Sequence, residues 1–583
     1  MTPLPSPPPQ GGREQAVRRV AFLALVLALA VGCAGAQGPA GPGSGPSPDT
    51  QLARKRITAA VAGSPFTLST LLAVGGTGTS VPGTSELEKL VNSGLTVQGA
   101  GGPLEPRLAE AVPSAGNGMW RVLPDGRMET TWKLRPNIRW HDGTPMTADD
   151  FVFTANTSQD RDLPIARNAI FDQVESVEAI DPLTVVAKWK RPYIEADQLF
   201  GTSGTLPMPK HILESTLANK ETFTALPYFN SEFVGTGPFV LRQWVEGSHM
   251  VVQANDAYVL GRPRIDEIEV KFIPSTTTLV ANVLAAVVDM TLGRGVSLEQ
   301  GLELRNQWRD GKVEGAPGNP SSLRPQHMNP NPVILADVQL RRALYRALNR
   351  QEMADTLMAG LSSVAHSALP PNAPQFRDVE SSVVRYDYDP RASIQALEGL
   401  GFTRGPDGRV RDASNQPLTV EIRRAGDDDL EEKAVLAAAD FWSRVGVTGD
   451  VVAVPPARQQ DLEYRAAFPG FEISSSGAGF NDLRNIRRSE IRTAENSYRG
   501  RNRTGYANPE LEGLLDRFYT TIPEQERNTV LRQIVNHLTD RVIIMYLFWE
   551  INPTVIADRL VNVTARHFTA PESWNAHEWD LRS

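Results

Sequence analysis

The sequence predicts an α/β fold, because strand-like and helix-like segments alternate along the chain. Segments that alternate between apolar and polar residues predict strands at Arg54–Ala62, Leu183–Lys190 and Ile265–Ile273. Apolar residues at helical spacing follow Asp337 and Asn349, whose side chains can each cap a helix. The continuous apolar run Val542–Trp549 fits a strand that is buried on both faces.

Residues Trp120–Leu134 predict a β-hairpin, because Asp125-Gly126 supplies the left-handed conformations that a short turn needs. One face of its second strand is expected to be buried, and it consists of Met128, Thr130, Trp132 and Leu134. The apolar face expected in the later strand consists of Leu183, Val185, Ala187 and Trp189.

Thr147 is the predicted N-cap of a helix, and Asp150 lies near the positive end of that helix dipole. We interpret Asp149 and Asp150 as capping residues and not as an acid/base pair, because adjacent carboxylates diverge on a helix. Further helical residues are expected around Ala434–Val445 and Pro509–Asp540.

The first residues of the chain have the features of an export signal. Arg18-Arg19 precede the apolar run Val20–Gly32, which is too short to span a bilayer. Ala30-Val31-Gly32-Cys33 resembles a bacterial lipobox, in which the cysteine receives a lipid, so residues 1–32 are predicted to be a lipoprotein signal peptide. The alternative is an ordinary cleaved signal that ends at a structural Cys33. Residues 33–50 are rich in Gly, Pro and Ser and predict a flexible tether.

Composition argues against several functional classes. A formal net charge of −8 argues against nucleic-acid binding, which needs a basic surface. Cys33 is the only cysteine, so neither disulfides nor thiol catalysis is expected. The eight histidines lack metal-ligand spacing, and we predict neither a metal nor another cofactor, with His141 and Asp142 as turn residues. The sequence has no phosphate-binding Walker loop, Gly-x-Ser-x-Gly or His-Glu-x-x-His motif, and no enzymatic activity is predicted.

A set of motifs occurs in a characteristic order. The most specific is Trp132–Phe153, which reads W-K-L-R-P-N-I-R-W-H-D-G-T-P-M-T-A-D-D-F-V-F. The others are Leu104–Ala111, Val234–Leu241, Tyr258–Ile268, Val338–Ala359, Tyr388–Leu397 and Gly505–Glu510. Together they resemble the bacterial extracellular solute-binding proteins of the oligopeptide/dipeptide/nickel family, family 5, which serve ABC importers. The similarity extends over essentially residues 50–583.

The resemblance implies a two-lobe, periplasmic-binding-protein-like fold of type II with an extra subdomain. The expected lobe I combines residues 51–98, 231–300 and 550–583. The extra subdomain is expected at residues 99–230, and lobe II at residues 301–549.

The function implied is that of a lipid-anchored substrate-binding component of an ABC importer, which takes peptides or peptide-like solutes and delivers them to the permease by lobe closure. The expected partners are a small polar ligand, the transmembrane subunits of the permease, and the membrane through the lipid on Cys33. The protein is expected to be a monomer on the outer face of the cytoplasmic membrane. Two alternatives stay open: a ligand-binding sensor or adaptor of the same fold, and a secreted hydrolase that uses paired carboxylates.

Peptide binders of this family hold the ligand's α-ammonium with an Asp in a segment resembling A-D-Y-N-E-P. The comparable segment here is Ala478–Asp482, with Gly479 at the position of that Asp, so recognition of a free amino terminus is not expected. Asp482 compensates only if the loop shifts, and a different alignment of this stretch remains open. The ligand-binding residues predicted in lobe II are Ser475, Ser476, Gly477, Gly479, Phe480 and Asp482.

The lobe I counterpart implied by the resemblance is Val74, Gly75, Gly76 and Thr77, for which a flexible loop is the alternative. A basic cluster also lies in the predicted lobe II, at Arg487, Arg488, Arg499, Arg501 and Arg503. Its simplest interpretation is a solvated surface, and its alternative is a set of guanidinium groups that bind an anionic ligand.

Overall fold

The structure is a computed structural model that describes residues 54–582, except for 73–81, 101, 167, 202–204, 294, 374, 425, 427, 476, 566, 568 and 569. The described residues form twenty strands: β1 Arg56–Val61, β2 Thr96–Gln98, β3 Leu104–Pro106, β4 Trp120–Val122, β5 Met128–Lys133, β6 Val174–Asp181, β7 Thr184–Trp189, β8 Phe239–Val245, β9 His249–Ala254, β10 Glu267–Phe272, β11 Met290–Leu292, β12 Gly311–Pro325, β13 Thr403–Arg404, β14 Val410–Arg411, β15 Thr419–Arg424, β16 Thr448–Ala453, β17 Phe471–Ser475, β18 Met545–Ala557, β19 Leu560–Val561 and β20 Asp580–Leu581.

The α-helices of the same residues are α1 Thr84–Val91, α2 Ala148–Gln159, α3 Ile170–Gln173, α4 Lys210–Leu213, α5 Lys220–Phe223, α6 Thr276–Leu284, α7 Leu298–Gln307, α8 Val338–Arg346, α9 Arg350–Leu357, α10 Phe376–Val379, α11 Pro390–Gly399, α12 Asp429–Arg444, α13 Leu462–Ala466, α14 Phe480–Asn485, α15 Pro509–Thr520 and α16 Glu524–Asp540. Within the described ranges, no helix has the length and apolar composition that crossing a membrane requires.

One ten-stranded sheet organises the chain, in the order β16-β15-β17-β12-β18-β11-β1-β10-β9-β8. The long antiparallel strands β12 and β18 lie at its centre and pair from Gly311–Ala557 to Leu323–Met545. They separate an N-terminal half, β11-β1-β10-β9-β8, from a C-terminal half, β16-β15-β17. Two strands therefore carry the sheet from one half to the other.

Each half has its own hydrophobic core. In the N-terminal half, β1 runs parallel to β10 and β11, and apolar residues such as Ile57, Val61 and Val270 are buried there. In the C-terminal half, β15 runs parallel to β16 and β17, and α12 connects β15 to β16. Trp442 on α12 packs against Phe471 on β17, with ring centroids 5.2 Å apart. Burial of both rings fixes α12 against the sheet.

A separate four-stranded sheet has the order β4-β5-β7-β6. The predicted hairpin is confirmed as β4 and β5, with Gly126 at φ 85° in the turn. The predicted face of β5 is buried, as are Val185, Ala187 and Trp189 of the predicted face of β7, and Trp132 and Trp189 are the largest of these residues. The expectation that Leu183 is also buried is wrong, because this residue lies in the turn before β7 and is exposed.

Helix α2 begins as predicted after Thr147, whose backbone N–H donates to Asp150 Oδ2 at 2.9 Å. Asp149 lies at the surface while Asp150 is buried, so the two carboxylates diverge. The helical segment at 509–540 is two helices, α15 and α16, which are separated before Pro523. Proline has no backbone N–H to continue a helix, which explains the break.

The predicted buried strand is β18, which begins at Met545 and is buried along almost its whole length. It continues to Ala557, so the predicted boundary between residues 549 and 550 falls within a strand. A third core joins the four-stranded sheet to the C-terminal half, and it includes Trp189, Tyr193, Tyr519 and Trp549. The α/β prediction is confirmed, and the residue boundaries of the lobes stay a prediction.

Candidate ligand-binding site

The pairing of β12 with β18 is interrupted where the two halves of the sheet meet. The ladder is regular to Pro317–Ile551 and resumes at Pro320–Trp549 with a shifted register. Proline lacks the backbone N–H that a β-ladder needs, so Pro317 and Pro320 favour an interruption of the ladder. The parallel strands β15, β16 and β17 also end at this edge, where Ser475 pairs with Ser321. Ligands bind at the carboxyl ends of parallel strands in open α/β sheets, so this edge is the candidate site.

The chain that follows β17 is held at this edge by backbone contacts. The Ala478 N–H donates to Asn319 Oδ1 at 3.2 Å, and the Gly479 N–H donates to the Ala368 carbonyl at 2.9 Å. Asn319 lies in the irregular part of β12, so its contact with Ala478 links the loop after β17 to the interrupted ladder. We call the place defined by Asn319, Ser475, Ala478, Gly479 and Trp549 the junction site.

Two side chains of the junction site have a buried polar atom without a hydrogen-bond partner among the described residues: Ser475 through its Oγ and Trp549 through its Nε1. Trp549 is 3% exposed. Its backbone is anchored, because its N–H donates to the Ser363 carbonyl at 3.2 Å and its carbonyl accepts from the Ser362 hydroxyl. A hydroxyl and an indole N–H are therefore positioned by strands and lack partners in the part of the protein that the structure describes, which suits them to bind a polar ligand.

Gly479 has a backbone conformation that other residues do not adopt readily, with φ 75° and ψ −148°. This region is essentially restricted to glycine. An Asp at this position, as in the peptide binders of the resembling family, would require a different loop. The substitution of Asp by Gly thus has a structural basis in the backbone of this chain.

Asp482 is only 4% exposed, and both of its carboxylate oxygens are engaged. Oδ1 accepts from Arg324 Nη2 at 3.3 Å, and Oδ2 accepts from the Tyr546 hydroxyl at 2.8 Å. Burial, with the nearby Asp482 carboxylate, raises the pKa of Tyr546 well above its usual value, so the hydroxyl stays a donor. Asp482 is accordingly occupied by protein partners in this structure.

The other predicted residues are placed as follows. Phe480 packs edge to face on Phe518 with centroids 5.0 Å apart, and its carbonyl accepts from the Tyr519 hydroxyl at 2.8 Å. Gly477 lies between Ser475 and this contact, in the loop of the junction site. The described residues do not include Cys33, Val74, Gly75, Gly76, Thr77 and Ser476.

The sequence did not identify Asn319 or Trp549 as site residues. Trp549 is the last residue of the predicted buried strand, and no sequence motif marks its indole N–H as a ligand-binding group.

A second set of contacts joins the four-stranded sheet region to the C-terminal half beside the junction site. Arg484 forms an ion pair with Glu195 and donates to the Tyr193 hydroxyl at 3.0 Å. The rings of Tyr193 and Tyr519 stack with centroids 6.3 Å apart, and burial raises the pKa of each to about 12. We call Tyr193, Glu195, Arg484 and Tyr519 the aromatic clasp.

Metal ligation finds no support in the described residues, which contain no group of three His, Cys, Asp or Glu side chains that could hold a metal ion. His141 Nε2 contacts the Gly237 carbonyl at 3.1 Å, and burial lowers the pKa of His141 to about 4. Asp142 contacts His211 Nε2 at 2.7 Å and accepts from the Thr144 N–H at 2.9 Å. Both residues therefore have structural partners in and near the predicted turn.

The predicted basic cluster does not act as one surface. Arg487 pairs with Asp516 at 3.0 Å, and Arg503 pairs with the buried Glu472 at 3.1 Å. Arg499 and Arg501 are exposed. The arginines of this cluster thus lie partly at the surface and partly in the interior of the protein.

Comparison with known proteins places this geometry in a family. The model of the bacterial extracellular solute-binding proteins, family 5 Middle, matches residues 104–485. The oligopeptide-binding protein AppA of Bacillus subtilis is 21% identical over 467 residues, which is 78% of this chain and 81% of AppA. Protein XP55 of Streptomyces lividans is 27% identical over 516 residues, 88% of this chain and 87% of XP55.

Solved structures show the same fold. The structure of AppA from Bacillus subtilis with a nonapeptide covers 91% of this chain and 100% of its own, at 19% identity and a TM-score of 0.70. NikZ from Campylobacter jejuni with Ni(L-His) covers 91% of this chain and 100% of its own, at 20% identity and a TM-score of 0.72. The predicted two-lobe fold with an extra subdomain is confirmed. The chain belongs to family 5 of the bacterial extracellular solute-binding proteins of ABC transporters, and it is a binding protein and not an enzyme.

Proposed function

We propose that this chain is the substrate-binding component of an ABC importer for peptides or peptide-like solutes, and that the ligand binds at the junction site. The observation that supports this proposal is that two buried polar atoms, Ser475 Oγ and Trp549 Nε1, have no hydrogen-bond partner among the described residues and lie on strands next to the interruption of the β12–β18 ladder. An extended peptide brings carbonyl and N–H groups that are costly to bury unpaired. The name of the relative AppA, and its solved structure with a nonapeptide, give independent support for a peptide ligand.

Calorimetric titration of the purified chain with trialanine tests this proposal. We expect saturable binding, and a Trp549→Phe variant that binds about 3- to 10-fold more weakly, because one neutral hydrogen bond is lost. Trp308→Phe is the matched control, since its buried indole N–H also lacks a partner among the residues described, but lies in the N-terminal core. Absence of heat with trialanine and longer peptides, or equal weakening in both variants, would contradict the proposal.

The amino terminus of the ligand is proposed to contribute little to affinity. Gly479 carries no side chain, and Asp482 is already bound by Arg324 and Tyr546. No carboxylate of the lobe II loop is thus left to bind an α-ammonium group. Trialanine and its N-acetyl form should bind with affinities within about 3-fold of each other, whereas a charged hydrogen bond would separate them by more. A large loss of affinity on acetylation would show that a carboxylate holds the amine.

Lobe closure is proposed to deliver the ligand to the permease, with the aromatic clasp as a contact of the closed form. The clasp supports this role because it combines an ion pair with a ring stack across two parts of the fold. A Tyr519→Ala variant should give a larger radius of gyration with ligand than the unaltered chain in small-angle X-ray scattering. Equal radii in both proteins would contradict this role.

We also propose that residues 1–32 are removed on export and that Cys33 is lipidated, with residues 33–50 as a tether at the outer face of the cytoplasmic membrane. The apolar run before the sole cysteine supports this. The bound chain then works as a monomer with the permease subunits. A Cys33→Ala variant should lose membrane association and keep its affinity for trialanine. Unchanged membrane fractionation would argue against the anchor.

A further inference from the structure

The sheet of lobe II has one face lined with charged side chains. Side chains alternate along a strand, and Val420, Ile422, Leu323, Phe471 and Ile473 point to the apolar core. Their neighbours on β15, β12 and β17 therefore point to the opposite side, which we call the polar face. Its charged members, together with those of the segments that cover it, are Arg324, Arg423, Arg465, Arg492, Arg503, Glu421, Glu472 and Asp482.

Three of these arginines have a carboxylate partner. Arg423 pairs with Glu421 at 2.8 Å. Arg503 pairs with Glu472 at 3.1 Å. The third pair, Arg324 with Asp482, is the one at the junction site. These pairs use every carboxylate of the set, and two guanidinium groups are left over.

The two remaining arginines are Arg465 on α13 and Arg492. Neither has a carboxylate within 4.0 Å in the part of the chain that the structure describes. Arg465 is 8% exposed, and its buried Nε has no hydrogen-bond partner there. Arg492 donates from Nε to the Gly500 carbonyl at 3.0 Å, while its buried Nη1 has no partner.

The two groups lie in the same electrostatic environment. Burial acts to raise the pKa of Glu472, yet nearby guanidinium groups, Arg465 and Arg492 among them, hold that pKa below its usual value. Burial, with the adjacent Arg503, lowers the pKa of Arg492 to about 10. Among the charged groups named for this face, five arginines thus stand against three carboxylates. Buried charge without a counter-charge is strongly unfavourable.

Glu431, at the start of α12, does not compensate this excess. Burial, with the neighbouring Asp428 and Glu472 carboxylates, raises the pKa of Glu431 to about 8, so it is mainly neutral at pH 7. Its Oε2 also lacks a hydrogen-bond partner among the described residues. A water molecule could accept from the free N–H groups but would leave the net charge unchanged.

We propose that Arg465 and Arg492 bind an oxyanion, a carboxylate or a phosphate, on the polar face of lobe II. Guanidinium groups match the paired oxygens of such anions and form strong charge-assisted hydrogen bonds with them. Solvent reaches the cluster at Arg503, whose side chain is 25% exposed. The anion is either free in solution or a carboxylate of the transported solute, and only the second case rests on the proposed function.

The first arm of the test uses inorganic phosphate. The melting temperature of the purified full-length chain is measured against phosphate concentration, with sodium chloride adjusted to hold the ionic strength constant. A saturable rise is expected, since a ligand that binds only the folded state stabilises it. Arg492→Gln should raise the phosphate concentration at half effect about 10-fold or more, because a charged hydrogen bond is lost. Arg501→Gln, an exposed neighbour in sequence, should leave it unchanged.

The second arm uses trialanine and trialanine amide. If the carboxylate of the solute occupies the site, trialanine binds more tightly than its amide, and Arg492→Gln removes that difference while phosphate has little effect. Arg465→Gln should reproduce either result. If the Arg465→Gln variant does not fold, Arg492→Lys is used in its place. Arg492→Lys should weaken binding of the anion, because a lysine lacks the planar guanidinium group.

The proposal is overturned if neither phosphate nor the free carboxylate has an effect, or if Arg492→Gln responds as the unaltered chain does. Its failure is distinguishable from failure of the proposed function. Trialanine binding without any dependence on phosphate or the carboxylate would remove the anion site and keep the peptide receptor. A phosphate effect without trialanine binding would keep the anion site and remove the peptide receptor.

Discussion

The two faces of the sheet in the C-terminal half are stabilised by different interactions. The apolar face buries rings and aliphatic side chains under α12, where Trp442 is fully buried and its indole N–H donates to the Leu344 carbonyl at 3.0 Å. The polar face is held by ion pairs and hydrogen bonds around Glu472 and Asp482. Packing gives the first face its stability. The second face depends on its ion pairs and hydrogen bonds for its geometry.

This difference explains why the junction site lies at the end of β17. Glu472 and Ser474 belong to the polar face, and the next residues lead directly into the loop that contains Gly479. Polar groups of that face therefore lead up to the junction site. The comparison predicts that substitutions on the two faces change the free energy of unfolding by different amounts and with different pH dependence. It also predicts that they affect ligand binding differently.

The largest effect is expected on the apolar face. Trp442→Ala should lower the free energy of unfolding by about 3–5 kcal/mol, because it removes a buried ring and leaves a cavity. Urea denaturation followed by circular dichroism measures this change. Leu436→Ala, on the exposed side of the same helix, is the control and should change it by less than about 0.5 kcal/mol. Similar values for both variants would show that α12 is not held by this face.

Glu472→Gln should produce the largest effect on the polar face. The variant leaves buried guanidinium groups without their central carboxylate, and a loss of about 3 kcal/mol at pH 7 is expected. Glu398→Gln, at an exposed position, is the control.

The pH dependence of Glu472→Gln separates the two faces further. Arg503 and its neighbours outweigh burial and hold the folded pKa of Glu472 below the unfolded value. Its contribution is therefore fully present above the unfolded pKa, about 4.3, and is lost as pH falls through the folded pKa. The stability difference between the variant and the unaltered chain should shrink below about pH 4. A difference that is constant from pH 7 to pH 3 would contradict this account.

Tyr546→Phe tests the contact between the polar face and the junction site. It removes the hydroxyl that donates to Asp482 Oδ2 and leaves that buried oxygen with one partner fewer. We expect a loss of about 1–3 kcal/mol in urea denaturation. Tyr388→Phe, at an exposed ring, should have little effect. If Asp482 is instead free to bind a ligand amine, the variant should gain affinity for trialanine over its N-acetyl form.

The two faces also differ in how far the sequence could predict them. Alternation and helical spacing depend on neighbours in the chain, so β18, the hairpin of β4 and β5, and the caps of α2 and α8 could be predicted. Asp482 contacts Arg324 and Tyr546, which lie 158 and 64 positions away, and no local pattern marks such pairs. Trp549 was expected in a buried strand, but only the folded chain shows that its indole N–H has no hydrogen-bond partner within the described ranges.

The smallest effect is expected at Gly479, where backbone conformation alone is tested. A methyl group there meets no atom within 4 Å, so Gly479→Ala should cost only the strain of φ 75°, about 1 kcal/mol. Gly513→Ala on α15 is the matched control, because its added methyl is equally free but its helical backbone should make the change stabilising by about 0.5–1 kcal/mol. Opposite signs for the two variants would support the glycine-specific backbone conformation of the loop at the junction site. Equal signs would mean that the loop adopts another conformation, in which the position of the family's Asp could again face the ligand.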